Sequence, residues 1–306
     1  MTLEVAGKRA DRLIQGTAHL SGMTQADVVA LLDAVTAAGA TTFDLAENYG
    51  GGASEAAFGA WLAARGGRDG LFLITKGGHP YGGRNRITRA DIVADLAGSL
   101  ERLRTDVVDL YLLHRDDETV PVGTVMTILH DLKERGLIRA YGVSNWHHGR
   151  IAAANAYARA SGMEPVAASS PHFSLAVPVA PPWPGCVSIS GPEGAAERAF
   201  YKSTGTPVLA WSSLAMGYFA ATPNAPAPQL EVSVFDTLAN AARRDRVRAL
   251  ARARGLTPSQ VALQYALSQP MNMHAIVGCR SGAEFRELRI AADRPLTPAE
   301  VAALEG

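Results

Sequence analysis

Short apolar runs alternate with longer stretches of helical periodicity along the chain. The runs are RLIQGT (12–17), TTFDL (41–45), LFLITK (71–76), VVDLYLLH (107–114), IRAYGVSN (138–145), PVAASS (165–170), PVLAWSS (207–213) and HAIVGC (274–279). Apolar runs of this length, bounded by turn residues, are typical of buried strands. The pattern therefore predicts eight strands separated by helices.

Four of the intervening stretches carry helix signals at their ends. Those at 24–39 and 88–103 begin with a threonine followed three residues later by an aspartate, which is the spacing of a capping box. Those at 121–136 and 150–162 end on a glycine, a common helix stop. A basic stretch at 241–253 has alanines at helical spacing, so we predict a solvated helix face and not a surface for polyanions.

Strands that alternate with helices pair in parallel through crossovers. Eight such units in 306 residues predict an α/β fold, a (β/α)8 TIM barrel that forms a single domain over residues 1–306. The fingerprint GxGxxG is missing after the first run, which argues against a doubly wound sheet. Residues 3–13 predict an N-terminal β-hairpin across the barrel floor. Long loops after strands 6 and 7, at 175–194 and 221–236, are expected to be binding loops or lids.

Composition narrows the classes of function. Hydrophobic residues make up 47% and charged residues 19%, and 29 basic residues balance 29 acidic ones, so we expect no nucleic-acid or membrane partner. Only Cys186 and Cys279 occur, which argues against a disulfide scaffold or a structural zinc site. No secretory signal or bilayer-length apolar run is present, so we expect a cytoplasmic protein.

Four side chains with catalytic potential follow successive predicted strands. Asp44, Lys76 and His114 stand at the ends of three runs, and Tyr49 lies in the loop after the first of them. Each alone has an ordinary structural explanation, as a capping, packing or solvent-facing residue. Because active sites of these barrels lie at the carboxyl ends of the strands, we expect the four to converge at one mouth.

The chain resembles the aldo-keto reductases over nearly its full length. The resemblance is carried by FDLAENYG, LITKGG, VVDLYLLHRDD, YGVSNW, VLAWSSLAMG and IVGCRS. It implies an enzyme that uses NADP(H), with NAD left open, to reduce a small-molecule aldehyde or ketone. A sugar-like substrate is expected separately, from aromatic faces beside polar side chains on the surrounding loops. Tyr49 would donate the proton, Asp44 would keep Lys76 charged, and His114 would orient the carbonyl. An ammonium about 4 Å from the phenol contributes roughly 4 kcal/mol at a dielectric of about 20, so Lys76 is expected to bring the Tyr49 pKa near neutrality.

The resemblance also assigns cofactor positions. They are Gly16, Thr17 and Asp44; Ser144, Asn145 and Ser170 for the carboxamide; Trp211 for stacking on the nicotinamide; Ser212, Leu214 and Gly217 under the pyrophosphate; Gly278, Cys279, Arg280 and Ser281 at the adenosine 2′-phosphate, with Glu284 near it; and Glu287 at the adenine. Three residues depart from the family pattern, because Ser170 replaces glutamine, Glu284 replaces arginine or glutamine, and Leu288 replaces asparagine. The residues expected around the substrate are His19, His79, Tyr81, Arg115, Trp146 and Trp183.

Two other classes of function stay open. The first is a divalent-metal sugar isomerase or epimerase, with Asp44, Glu47, His79 and His114 as ligands. Lys76 would have no role in such a site. The reductase interpretation, which we favour, expects no metal. The second is a non-catalytic regulatory subunit that binds the nicotinamide cofactor. The four candidate catalytic residues argue against it.

Overall fold

Eight parallel strands close into a barrel in a computed structural model that describes residues 2–220 and 234–306. They are β3 (Leu13–Gly16), β4 (Thr42–Asp44), β5 (Phe72–Gly77), β6 (Val108–Leu113), β7 (Ile138–Ser144), β8 (Ser169–Ser170), β9 (Val208–Ala210) and β10 (Met273–Val277). Each strand pairs with the next along the chain, and β10 closes the ring on β3. The predicted barrel is confirmed.

A short antiparallel hairpin, β1 (Glu4–Val5) and β2 (Lys8–Arg9), precedes the barrel. Leu3 and Val5 are buried and pack in one apolar cluster with the inward side chains of the barrel, including Ile14 and Phe72. The predicted N-terminal hairpin is therefore confirmed, and it closes one end of the barrel. Apolar burial of this kind stabilises the closure because it removes the ends of the barrel core from water.

Ten α-helices surround the barrel in the described part of the chain. They are Gln25–Ala37, Ala53–Ala64, Arg89–Leu103, Val122–Glu134, His148–Ala160, Ala195–Thr204, Leu238–Arg254, Pro258–Leu267, Gly282–Ala292 and Pro298–Glu305. The four helices predicted from end signals lie within about two residues of their expected limits, and the basic stretch lies in Leu238–Arg254. Among the described residues, no helix is long and apolar enough to cross a bilayer.

One expected element is shorter than predicted, and most of another lies outside the described residues. The sixth strand is only Ser169–Ser170, shorter than the predicted run 165–170. The Val166 amide donates to Asn155 Oδ1 at 2.9 Å and so takes no part in the ladder, whereas the Ala167 amide still bonds the Tyr141 carbonyl of β7 at 2.8 Å. The loop 175–194 is present and contains a short 3₁₀ helix, Pro192–Gly194. Most of the predicted loop 221–236 lies outside the described residues. The extent of the single domain stays a prediction.

Candidate active site

A buried ion pair forms at the mouth of the barrel. Asp44 ends β4 and Lys76 lies near the end of β5, and both are 2% exposed. Lys76 Nζ lies 2.7 and 2.8 Å from the two carboxylate oxygens of Asp44. It also donates to the carbonyl of Leu45 at 2.8 Å and to the hydroxyl of Tyr49 at 3.1 Å. Because an ammonium has three N–H groups, these contacts use all of them.

The loop after β4 places the phenol beside this pair. The Tyr49 hydroxyl lies 3.4 Å from Asp44 Oδ2, and Lys76 Nζ lies 4.9 Å from the centre of the Tyr49 ring. Gly50, Gly51 and Gly52 follow with positive φ. A Cβ at Gly50 would lie 2.2 Å from the Cβ of Ser21, so both the conformation and the space there require glycine. The chain then enters the helix Ala53–Ala64.

The pKa values of Lys76 and Tyr49 are both shifted, and the shift of Tyr49 is not the one predicted from the sequence. Burial lowers the pKa of Lys76, but Asp44 and Tyr49 outweigh it, and the net pKa lies above its ordinary value. Burial raises the pKa of the Tyr49 phenol, and the Lys76 ammonium opposes this without overcoming it. The prediction that Lys76 brings this pKa near neutrality is therefore wrong. The phenol keeps its proton at neutral pH, which is the state that a proton donor needs.

His114 completes the group from the strand end of β6. Its ring is edge-on to Tyr49, with centroids 5.9 Å apart, and to His79 at 5.1 Å. Burial, followed by the charges of Lys76 and Arg115, lowers its pKa well below the ordinary value, so the imidazole is neutral. Its Nδ1 is buried and finds no hydrogen-bond partner among the described residues. A neutral histidine in this position can donate one hydrogen bond to a substrate oxygen.

Four of the residues assigned to the cofactor also form one cluster. Asn145 has a positive φ of 60° and donates to Ser144 Oγ at 3.0 Å and to the His114 carbonyl at 3.2 Å. Its Oδ1 accepts from Trp211 Nε1 at 3.2 Å and from the amide of Val187. The hydroxyls of Ser144 and Ser170 donate to the carbonyls of Ser170 and Leu209, each at 2.8 Å. The polar groups expected to hold the carboxamide are thus bonded within the protein.

Comparison with known proteins shows the family of the chain. The model of the aldo/keto reductase family matches residues 12–306. This chain is an aldo-keto reductase by family. The norsolorinic acid reductase of Emericella nidulans is 34% identical over 52% of this chain but only 46% of its own length. The chain therefore spans less than half of that curated relative.

Other relatives match over more of their length. The 6-dehydroglucose reductase of Novosphingobium aromaticivorans is 30% identical over 87% of the chain and 81% of its own length. Among solved structures, the glycerol dehydrogenase of Gluconobacter oxydans has a TM-score of 0.81 at 22% identity, covering 99% of this chain and 94% of that one. A thermostable aldo-keto reductase bound to epalrestat has a TM-score of 0.77 at 23% identity, covering 100% and 98%. These two structures show the fold.

The other positions that the sequence analysis expected at a cofactor lie at β3, after β9 and after β10. Gly16 ends β3 and Thr17 follows it, and the Thr17 hydroxyl donates to the Asp44 carbonyl at 2.9 Å. Ser212 has a positive φ of 48°, and Gly217 follows Leu214 in a 3₁₀ turn with a φ of 84°. This turn presents backbone in conformations that a phosphate-binding loop often uses.

The turn after β10 leads into the helix Gly282–Ala292. Ser281 caps that helix by accepting from the Glu284 amide at 3.1 Å. The Glu284 carboxylate turns back and accepts from the Arg280 amide at 2.8 Å. Glu287 accepts from the Thr257 hydroxyl at 2.5 Å. An acid of the protein thus already bonds a backbone N–H of the turn expected at the 2′-phosphate.

The residues expected around the substrate do not all come together. His79 and Arg115 lie near His114, and Trp183 packs against Trp211 with ring centroids 5.7 Å apart. Tyr81 is 81% exposed in a small turn closed with Arg84. These positions border the mouth of the barrel.

Two of those residues are placed elsewhere. Trp146 is 0% exposed and packs in the core with Arg150 over its ring, so it does not line an open pocket. His19 lies beside the turn at Gly278, where a Cβ would be 4.0 Å from its Nδ1. Burial and then the charge of Arg280 lower the pKa of His19. His19 therefore belongs to the region of the turn after β10 and is not grouped with His79 and His114.

His172 is a buried residue that sequence reasoning missed. Its ring packs on Trp211 at 4.9 Å and on Phe235 at 5.6 Å, and its Nδ1 lies 2.8 Å from the Ser188 hydroxyl. Burial lowers its pKa to about 3, so it is neutral. Its ring contact helps to fix the position of the tryptophan. A histidine two residues after a short strand was the only signal in the sequence, and it is weak.

The alternative metal site does not form. The Asp44 carboxylate is paired on both oxygens with Lys76. Glu47, another expected ligand, lies near Asp95 and Glu55; burial first and then Asp95 raise its pKa to about 7. Within residues 2–220 and 234–306, no group of three histidine, cysteine or acidic side chains could hold a metal ion. The mouth holds a phenol beside a buried ammonium.

Proposed function

We propose that this chain is a nicotinamide-dependent reductase that converts an aldehyde or ketone into the alcohol, with Tyr49 as the proton donor. The observation that carries the proposal is the position of Lys76 Nζ, 3.1 Å from the Tyr49 hydroxyl and bonded to Asp44. Reduction of a carbonyl develops negative charge on its oxygen, and a protonated phenol next to a fixed cation stabilises that charge. Membership of the aldo-keto reductase family supports the reaction type.

Each residue of the group then has a separate role. Tyr49 supplies the proton to the carbonyl oxygen, and Lys76 stabilises the phenolate that remains. Asp44 keeps Lys76 charged despite its burial, because an uncompensated buried ammonium would lose its proton. The neutral His114 donates a hydrogen bond to the same oxygen and fixes its position between the imidazole and the phenol. A group held by two donors in this way reacts from one orientation.

The residues present fit a nicotinamide cofactor at its phosphate end. Gly278 and Arg280 are exposed at the start of the helix Gly282–Ala292, and Gly217 has open space where a Cβ would stand. A helix N-terminus with exposed backbone and an arginine suits a phosphate. When bound, the cofactor would supply the hydride. At the nicotinamide end, Trp211 would provide the stacking face, while Ser144, Asn145 and Ser170 would have to exchange internal hydrogen bonds.

The substrate is proposed to be a hydroxylated, sugar-like carbonyl compound. Trp183 and Trp211 lie side by side at the mouth, and aromatic faces next to polar side chains suit a sugar ring. The name of the 6-dehydroglucose reductase, which matches over 87% of this chain, supports the same class. NADPH is the proposed cofactor because Arg280 stands at the turn after β10.

One experiment separates reductase, regulatory subunit and metal isomerase. Fluorescence of NADPH is followed as protein is added, and oxidation of NADPH is then followed with a simple aldehyde, with and without EDTA. A reductase binds the cofactor and turns over in EDTA. Binding without turnover would favour a regulatory subunit. Turnover of a sugar that is lost in EDTA, without NADPH oxidation, would favour the isomerase.

A further inference from the structure

Arg115 is a buried cation at the mouth of the barrel without an acidic partner in the described part of the chain. It is 8% exposed. Its guanidinium donates to the His114 carbonyl at 2.9 Å and to the Pro184 carbonyl at 3.4 Å. Within residues 2–220 and 234–306, no carboxylate lies within 4.0 Å of it. Carbonyl dipoles alone compensate a buried charge incompletely.

The lack of a partner is notable because acids follow Arg115 directly in the chain. Asp116 instead pairs with Arg150, whose Nε lies 2.9 and 3.1 Å from its two carboxylate oxygens. Asp117 accepts from the Thr119 hydroxyl at 2.6 Å. The local structure therefore turns the nearest carboxylates away from the Arg115 guanidinium and leaves its charge for another group.

The charge lies where a substrate would lie. Arg115 sits between His114 and the part of loop 175–194 that carries Trp183, and a Cβ at Gly185 would be 3.4 Å from Arg115 Cδ. The charge of Arg115 contributes to lowering the pKa of both His114 and His79, so it acts on both histidines at the mouth. Of the five N–H groups of a guanidinium, two are bonded here, which leaves three.

We infer, resting on the proposed reductase function, that Arg115 binds an anionic group of the substrate, carried on the same molecule as the reacting carbonyl. This narrows the proposed sugar-like substrate to an acidic carbonyl compound, either an oxo acid or a phosphorylated hydroxy-carbonyl compound. A carboxylate or phosphate fits the free side of a guanidinium through charge-assisted hydrogen bonds. Such a pair both neutralises the buried cation and sets the distance between the anion and the carbonyl held by Tyr49 and His114.

The test uses aldehydes that differ in one charge. We compare kcat/KM for 4-oxobutanoate with that for its uncharged amide, and for glyceraldehyde 3-phosphate with that for glyceraldehyde. A preference of about tenfold or more for the charged member of one pair is expected, the range of a charge-assisted hydrogen bond. The pair that shows it identifies the anion as carboxylate or phosphate. Arg115→Gln should remove the preference, and Arg115→Lys should restore part of it.

A matched control and a binding measurement keep the outcome clear. Arg84→Gln removes a charge that is 59% exposed and paired with Asp91, from the turn after β5, and should leave the preference unchanged. Calorimetric titration with succinate and with succinamide reads anion binding without turnover. Failure of NADPH oxidation with every aldehyde would overturn the proposed function, whereas succinate binding lost in Arg115→Gln would still support the anion site. An equal loss of kcat/KM in Arg115→Gln on charged and uncharged aldehydes, or no preference of the wild type for the charged ones, would overturn the inference. Arg115 would then only anchor the loop.

Discussion

At the scale of single residues, the site is defined by one ammonium with three acceptors. Lys76 bonds Asp44, the Leu45 carbonyl and the Tyr49 hydroxyl at distances from 2.7 to 3.1 Å. These bonds fix the position of the ammonium next to the Tyr49 hydroxyl. The net pKa of Tyr49 is nevertheless raised, because burial exceeds the effect of the cation. This residue is suited to giving a proton more than to accepting one.

Replacing the phenol tests the donor directly. Tyr49→Phe keeps the ring and removes the hydroxyl, so we expect kcat to fall by at least about 10²-fold, the usual weight of general acid catalysis. Cofactor affinity, measured by fluorescence titration, should stay within about twofold. Tyr157→Phe is the matched control, because Tyr157 is 37% exposed on the helix His148–Ala160 and belongs to none of the assigned site residues, so its loss should be neutral. Near-normal turnover in Tyr49→Phe would reject the assignment.

The pH dependence follows from the direction of the Tyr49 shift. Reduction needs the protonated phenol, and its pKa lies above the ordinary value of about 10, so the reduction rate should be flat between about pH 6 and 9. Alcohol oxidation needs the phenolate and should rise with pH over this range. A fall in reduction rate near pH 7, caused by Tyr49, would contradict the raised pKa.

Removing the cation tests its electrostatic role. The Lys76 ammonium favours the phenolate, so Lys76→Met should raise the apparent pKa of the oxidation profile further and lower kcat strongly in both directions. The pH–rate profile of the residual activity is the measurement. Lys202→Met, at an exposed lysine, is the control. An unchanged profile with retained activity would show that Lys76 only supports the fold.

At the scale of elements, the sequence predicted the barrel well and the loops poorly. Strand and helix patterns depend on neighbours a few residues apart, so their periodicity is visible in the chain. The bonds of Asn145 to Val187 and Trp211 join residues 42 and 66 positions apart, and no local pattern shows them. The position of His19 beside Gly278 likewise joins residues far apart in the chain. The four candidate catalytic residues were predictable because Asp44, Lys76 and His114 lie at or next to strand ends and Tyr49 lies in the loop after the first of these strands.

The turn after β10 carries a prediction about the cofactor. The Arg280 guanidinium is expected to favour NADPH over NADH by about tenfold or more in kcat/KM. The Glu284 carboxylate, 2.8 Å from the Arg280 amide, would repel a phosphate there. Arg280→Ala should therefore lower the NADPH preference, and Glu284→Gln should raise it.

The measurement is kcat/KM for both cofactors in each variant. Arg286→Ala is the control for a change in overall charge, because Arg286 is an exposed arginine on the helix Gly282–Ala292 that follows the turn. Equal use of NADPH and NADH by the wild type, or an undiminished preference in Arg280→Ala, would show that Arg280 does not recognise the phosphate. An effect of Glu284→Gln on NADH alone would show that the carboxylate bonds the ribose hydroxyl.

At the scale of the whole molecule, the candidate catalytic residues and the hairpin that closes the barrel lie at opposite ends. Asp44, Lys76 and His114 lie at the carboxyl ends of their strands, whereas Asp109 lies at the start of β6. Asp109 is 0% exposed and accepts from the Leu73 amide at 2.8 Å. Its cationic neighbours are Arg68, Lys8 of the hairpin at 3.7 Å and Arg139 of β7 at 3.6 Å. One carboxylate therefore ties the hairpin to three strands.

Asp109→Asn should lower stability without changing catalysis. The amide keeps the shape but leaves these cations without their shared counter-charge. Breaking a buried pair costs about 3–5 kcal/mol, and the partial exposure of Lys8 and Arg139 reduces our expectation to about 2 kcal/mol. Urea unfolding should show this loss, while kcat stays within about twofold because the site lies at the other end.

Asp131→Asn is the control. It breaks an exposed pair with Arg89 and should cost less than about 1 kcal/mol. An unchanged unfolding midpoint in Asp109→Asn would mean that apolar packing alone holds the hairpin, and a large fall in kcat would mean that the two ends of the barrel are coupled.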